Sequence, residues 1–157
     1  MLRRRWPIAV FAAWSGYVWT TRIVNAWAAT SEETATAKAI STVTAVVLLV
    51  GAVAAVAILV RARSRAFAAG ESLVLRAFAA ATVAVWVVRV PLIVLDAEHN
   101  VAFKVVHTTL ALISIVLAAL TWRRAGLDRE VDGGPGTTGS AGTPDATAVS
   151  PAANAGR

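Results

Sequence analysis

From Trp6 onward the chain alternates between long apolar runs and short polar breaks. A helix needs about 20 apolar residues to cross roughly 30 Å of hydrocarbon. Four runs meet that length, over about residues 6–28, 39–60, 73–95 and 101–122. The pattern predicts an all-α protein, a four-helix transmembrane bundle over residues 1–124. Trp6, Trp27 and Trp122 fall at the predicted interfaces, where an amphipathic indole sits between head group and acyl chain. After residue 124 the composition turns to Gly, Thr, Pro, Ala and Ser, as in GGPGTTGSAGTPDATAVSPAANAGR. Such a segment cannot bury enough apolar surface to offset the entropy of ordering, so residues 125–157 are expected to form a disordered cytoplasmic tail.

Composition agrees with a membrane chain, since 57% of the residues are hydrophobic and only 15% are charged. Charge then orients it, because Lys and Arg in short loops stay on the cytoplasmic side. Arg3, Arg4 and Arg5 precede the first span, Arg61, Arg63 and Arg65 follow the second, and Arg123 and Arg124 follow the fourth. Both termini are therefore expected inside, in a multi-pass protein of the bacterial plasma membrane. The outer loops TSEETATAK and DAEHN carry Glu32, Glu33, Asp96 and Glu98, balanced by Arg22, Lys38, Arg89 and Lys104, so the net charge of +6 lies on the inner side. Topology accounts for the basic excess. No basic patch interleaved with stacking aromatics suggests nucleic acid as a partner.

The first span also has the grammar of a signal peptide: a basic start, an apolar core and the triplet Ala26, Trp27, Ala28. Its length, and the Arg, Asn and Trp crowding the cleavage region, argue for a retained span. The chain has no cysteine, which excludes disulfides, thiolate ligands and cysteine catalysis.

Polar residues inside the spans are the candidate functional positions, since an ionisable group in a membrane helix is costly and faces the bundle or water. At about 1.5 Å of rise per residue, Arg22 in span one and Arg89 in span three each lie about 7 Å outward of the midplane, and His107 in span four lies at a similar height. Residues three, four and seven apart share a helix face. Ser15, Trp19, Arg22 and Asn25 thus form one stripe, Thr82, Trp86, Arg89 and Asp96 a second, and Asn100, Lys104, His107 and Ser114 a third. Span two contributes only Ser41, Thr42 and Thr44 near its outer end, with Gly51 and Ala55 permitting close approach, and reads as packing scaffold.

The segments TRIVN in span one and HNVAFKVVHTTLALIS leading through span four resemble an uncharacterised family of small four-span membrane proteins from actinobacteria. The resemblance covers most of residues 14–120 and points to Arg22, Asn25, Asp96, Phe103, Lys104, His107 and Thr108. It implies the same architecture and no assigned activity.

Known chemistries fit poorly. Bis-histidine haem needs two imidazoles on facing helices, but His99 is in a loop; a metal site from Asp96, Glu98, His99 and His107 lacks a recognisable ligand spacing. No intramembrane carboxylate suits proton-coupled export, and no nucleophile elbow is present. The chain is expected to be no enzyme and to need no cofactor. Two readings follow for Arg22, Asn25, Arg89, Asp96, Lys104 and His107. In the first they pair helices within a structural or accessory protein, whose partners are the lipid bilayer and other membrane subunits or a second copy. In the second they form an outward-facing site that binds or transports an anion, such as a lipid phosphate or a small carboxylate.

Overall fold

A computed structural model describes residues 2–28, 34–97 and 100–130. Four helices make up this part of the chain: α1 (Leu2–Ala26), α2 (Ala35–Arg61), α3 (Ala69–Leu95) and α4 (Val101–Glu130). Glu32, Glu33, Glu98, His99 and the segment from 131 onward lie outside the described residues.

Three of the helices, α2, α3 and α4, are long and apolar enough to cross a membrane. Apolar side chains surround them. Val43, Val47, Val50 and Val53 on α2, Val87, Val88 and Leu92 on α3, and Val105, Leu112 and Val116 on α4 are all exposed. A helix apolar on every side belongs either in a core or in a membrane, and these outward valines and leucines suit lipid or a neighbouring membrane helix. The helix α1, 25 residues long, is less apolar because it carries Arg3, Arg4, Arg5 and Arg22.

Local chemistry marks the helix ends. The Thr34 hydroxyl accepts from the Ala37 N–H at 3.2 Å at the start of α2, and the Asn100 side chain accepts from the Phe103 N–H at 2.8 Å at the start of α4. Glu71, in the first turn of α3, accepts from the Ala68 N–H at 2.9 Å and from both terminal nitrogens of Arg65 at 2.8 and 2.6 Å. Pro91 lies inside α3 and removes the N–H that would bond the Val87 carbonyl.

Each helix packs on two neighbours: α1 on α2 and α4, and α3 on α2 and α4. The diagonal between α1 and α3 is filled by rings. Phe11 meets Phe78 at 4.7 Å between centroids, and Trp19 meets Trp86 at 6.1 Å. Between these two layers Ser15 and Thr82 are buried, the Thr82 hydroxyl donating to its own helix at the Phe78 carbonyl, 3.0 Å away. α2 presents Ala45, Gly51, Ala52 and Ala55 to this interior, and Phe78 lies directly over Gly51. Small residues on one helix thus accommodate large rings from the opposite pair.

At the end where α1 begins and α2 finishes, Arg5 is buried at 8% exposure. Its guanidinium donates to the carbonyls of Ala62 and Arg65, the latter at 2.8 Å, and lies 4.0 Å over the Phe67 ring. Loop charge alone suggests only a cytoplasmic marker here; the fold makes Arg5 a clasp between α1 and the α2–α3 loop.

Helix limits differ from the apolar runs. α2 and α3 begin at Ala35 and Ala69, four residues ahead of their runs, and α4 continues to Glu130 rather than ending near 122. The last extension is held by packing. Ala125 is fully buried and its carbonyl accepts from the Ser72 hydroxyl at 2.5 Å, while Gly126 makes room for the Arg76 guanidinium. α4 therefore runs past its apolar residues, because polar residues beyond the hydrocarbon can still continue a helix that rests on its neighbour.

Candidate functional site

The polar site forms near the end of the bundle where α1 and α3 finish and α2 begins. Arg22 lies one turn before the end of α1, Ser41 two turns into α2, and Arg89 less than two turns before the end of α3. Arg22 Nε donates to Ser41 Oγ at 2.9 Å, and Arg89 Nη2 donates to the same oxygen at 3.3 Å. A hydroxyl oxygen has two acceptor lone pairs, so Ser41 can receive both guanidinium donors at once. Ser41 is buried at 2% exposure, whereas both arginines are half-buried. Arg89 also lies 6.0 Å from the centroid of the Trp19 ring, at the outer limit for a cation–π contact. Arg22, Arg89 and Asp96 each have interactions beyond these.

Two cavities share the arginine pair as a wall. One, of about 860 Å³, lies between α2 and α3; Arg22, Ser41, Thr44, Arg89 and Asp96 line it together with Ile40, Val85, Val88, Leu92 and Ile93. The other, of about 480 Å³, lies between α1, α3 and α4 and is lined by Tyr17, Trp19, Arg22, Asn25, Trp86, Arg89, Phe103 and His107. In the second, the His107 ring stacks on Phe103 at 3.9 Å. Its Nδ1 is 2.9 Å from the Phe103 carbonyl. A carbonyl only accepts, so Nδ1 carries the hydrogen and Nε2 is the other polar atom of the ring.

The six sequence candidates therefore divide. Arg22, Arg89 and Asp96 meet on the first cavity, and Arg22, Asn25, Arg89 and His107 meet on the second. Lys104 lines neither; its ammonium donates at 2.9 Å to the carbonyl of Val94 in the last turn of α3, where a cation favours the negative end of the helix dipole. Among the described residues no group of three or more His, Asp and Glu side chains is placed to hold a metal ion.

Ser41, on a helix whose pattern suggests packing scaffold, is the residue at the centre of the site. Counted from the apolar run over 39–60, Ser41 lies about 13 Å from the midplane, beyond the arginines, so depth gave no signal and only the hydrogen bonds across the helices bring the three residues together. Trp14 and Ser114 are a second unforeseen pair, the indole N–H of α1 donating to the α4 hydroxyl at 3.0 Å.

Four helices, three of them able to cross a membrane, with aliphatic side chains outward and polar side chains joined inward, define a multi-pass helical membrane protein. The chain matches no protein-family model, and no curated protein or solved structure is significantly similar to it.

Proposed function

We propose that this is a small, non-catalytic accessory or structural protein of the bacterial plasma membrane, in which inward polar residues set the register of four membrane-crossing helices. The observation that carries the reading is the shared acceptor: Arg22 of α1 and Arg89 of α3 both donate to Ser41 of α2. Such bonds tie three helices at one depth in a medium where the alternative is an unsatisfied polar group. The Trp14 to Ser114 bond ties α1 to α4 in the same way.

α1 as the fourth span is supported by contacts along its whole length. They run from Arg5 against the end of α2, through Phe11 and Trp19 against α3, to Trp27, whose indole donates to Thr42 at 2.9 Å. Cytoplasmic termini are supported by the basic residues gathered where α1 and α3 begin and α2 and α4 end. The exposed aliphatic surface suits other membrane subunits or a second copy as partners, and membership of the small four-span actinobacterial family is part of the same proposal.

The test is purification in mild detergent, with chemical crosslinking beforehand and mass spectrometry of the bound proteins. A stoichiometric membrane subunit or second copy is expected, together with lowered thermal stability for Arg22→Gln and Arg89→Gln. A folded chain that crosslinks to nothing, and whose arginine variants unfold at the wild-type temperature, would remove the basis for the proposal.

A further inference from the structure

We infer that the groove between α2 and α3 is a binding site for an amine-bearing zwitterionic phospholipid, with its phosphate on Arg22, Ser41 and Arg89 and its ammonium at Asp96. This goes beyond the accessory reading and requires no protein partner.

The groove has the polarity of such a molecule in the order that a bilayer imposes. Asp96 caps α3 at its outer end, and Arg89 lies two turns deeper, about 10 Å of rise. One turn further in comes Val85. From outside to inside the wall thus offers a carboxylate, the aliphatic Leu92 and Ile93, a pair of guanidiniums whose long side chains can reach outward past them, and a deeper aliphatic surface. A lipid of the outer leaflet presents amine, phosphate and acyl chain in that sequence.

The opening faces lipid rather than water. Ile40 and Val88, on opposite walls, are 64% and 62% exposed, and Leu92 is 66% exposed. A bilayer lipid can enter sideways without leaving its leaflet, and about 860 Å³ can admit a head group with the upper part of a chain.

Charge selects the head group. A guanidinium has five N–H donors in a planar fork suited to phosphate, so each arginine can serve Ser41, its further contacts and a phosphate oxygen together. Asp96 in the same wall disfavours a purely anionic head group near it and favours a primary ammonium, which can donate hydrogen bonds. A quaternary ammonium cannot donate them. The chemistry therefore prefers ethanolamine to choline through Asp96, and prefers a phospholipid to an uncharged lipid through the arginines.

The test is native mass spectrometry of the full chain in mild detergent, titrated with phosphatidylethanolamine, phosphatidylglycerol and phosphatidylcholine of identical acyl chains. Phosphatidylethanolamine should be retained about tenfold more tightly than phosphatidylcholine, a difference typical of one charge-assisted contact. Arg89→Gln should weaken retention of both by about tenfold. Asp96→Asn should abolish the preference for ethanolamine over choline while leaving phosphatidylglycerol retention equal or higher. Val88→Trp should lower retention by filling the groove without altering any charge; because Val88 is exposed, this variant and Asp96→Asn carry the test should Arg89→Gln fail to fold. Equal retention of all three lipids by the wild type, or wild-type retention in the folded variants, would mean annular lipid only and overturn the inference. Preferential binding of phosphatidylglycerol that ignores Asp96→Asn would show a simple anion site and overturn it as well.

Discussion

Phe78 rests against the backbone of Gly51 so closely that a methyl group on that glycine would collide with the ring. The ring is itself held on its far side by Phe11, 4.7 Å away, so it has little room to retreat. Gly51→Ala should therefore destabilise the bundle by about 1–3 kcal/mol, the usual cost of overpacking. Gly16 makes the comparison fair, since nothing lies within 4 Å of its would-be methyl group. Gly16→Ala should be neutral or stabilising by up to about 1 kcal/mol through helix propensity. Thermal unfolding of both variants in one detergent checks the pair, and equal effects would contradict the close α2–α3 approach.

The shared acceptor predicts coupling. Ser41→Ala should destabilise by about 1.5–3 kcal/mol, the range for hydrogen bonds to charged groups. In that background Arg22→Gln and Arg89→Gln should each cost less than in the wild type, with coupling energies on the order of 0.5–3 kcal/mol. A complete double-mutant cycle by detergent or denaturant unfolding measures this. Strict additivity would mean that the two arginines do not act through Ser41.

Arg89 and Asp96 predict a second coupling through their common cavity. Arg89→Gln should destabilise the protein, and Asp96→Asn added to it should restore part of the loss, because a lone charge near lipid is worse than none. The same unfolding assay applies. A double variant as unstable as the sum of its parts would separate the two residues energetically.

Arg5 should prove structural although it sits in a run of basic residues. Arg5→Gln loses the Phe67 stacking and the reach to the Ala62 and Arg65 carbonyls. A loss of about 1.5–3 kcal/mol is expected. Arg61→Gln, at an exposed position, should stay within about 0.5 kcal/mol. Similar behaviour of the two would reduce Arg5 to a topological charge.

The end of α4 gives a truncation test. A chain ended after Arg124 lacks Ala125, whose buried carbonyl is the acceptor for Ser72. It should be less stable than a chain ended after Glu130 by about 1–3 kcal/mol, the cost of an orphaned buried hydroxyl. Identical melting of the two would show that the last turns do not contribute.

What the amino-acid sequence determined by itself was the existence and type of the main elements. Valine- and alanine-rich runs of membrane-spanning length leave the backbone only one way to satisfy its N–H and C=O groups in hydrocarbon, which is to bond within the helix. Helix periodicity likewise set Trp19 and Arg22 on one stripe of α1, and Trp86 and Arg89 on one stripe of α3. The helix limits were less legible, since hydropathy measures the hydrocarbon and not the chain: Ala125 is helical because Ser72 and Arg76 of α3 receive it, and a contact 53 residues away leaves no mark on local composition.

Partner choice was decided only by the tertiary structure. Thr42 and Thr44 turn their hydroxyls back to the Lys38 and Ile40 carbonyls of their own helix, at 2.7 and 2.8 Å. Ser41, immediately before Thr42, could have done the same, and instead receives two arginines from other helices. Nothing in the letters around it separates these outcomes. The difference is the rotation of α2 about its axis, which the packing of Phe78 over Gly51 and of the buried alanines against α1 and α3 brings about, turning Ser41 inward while leaving Val43 and Val47 to the lipid.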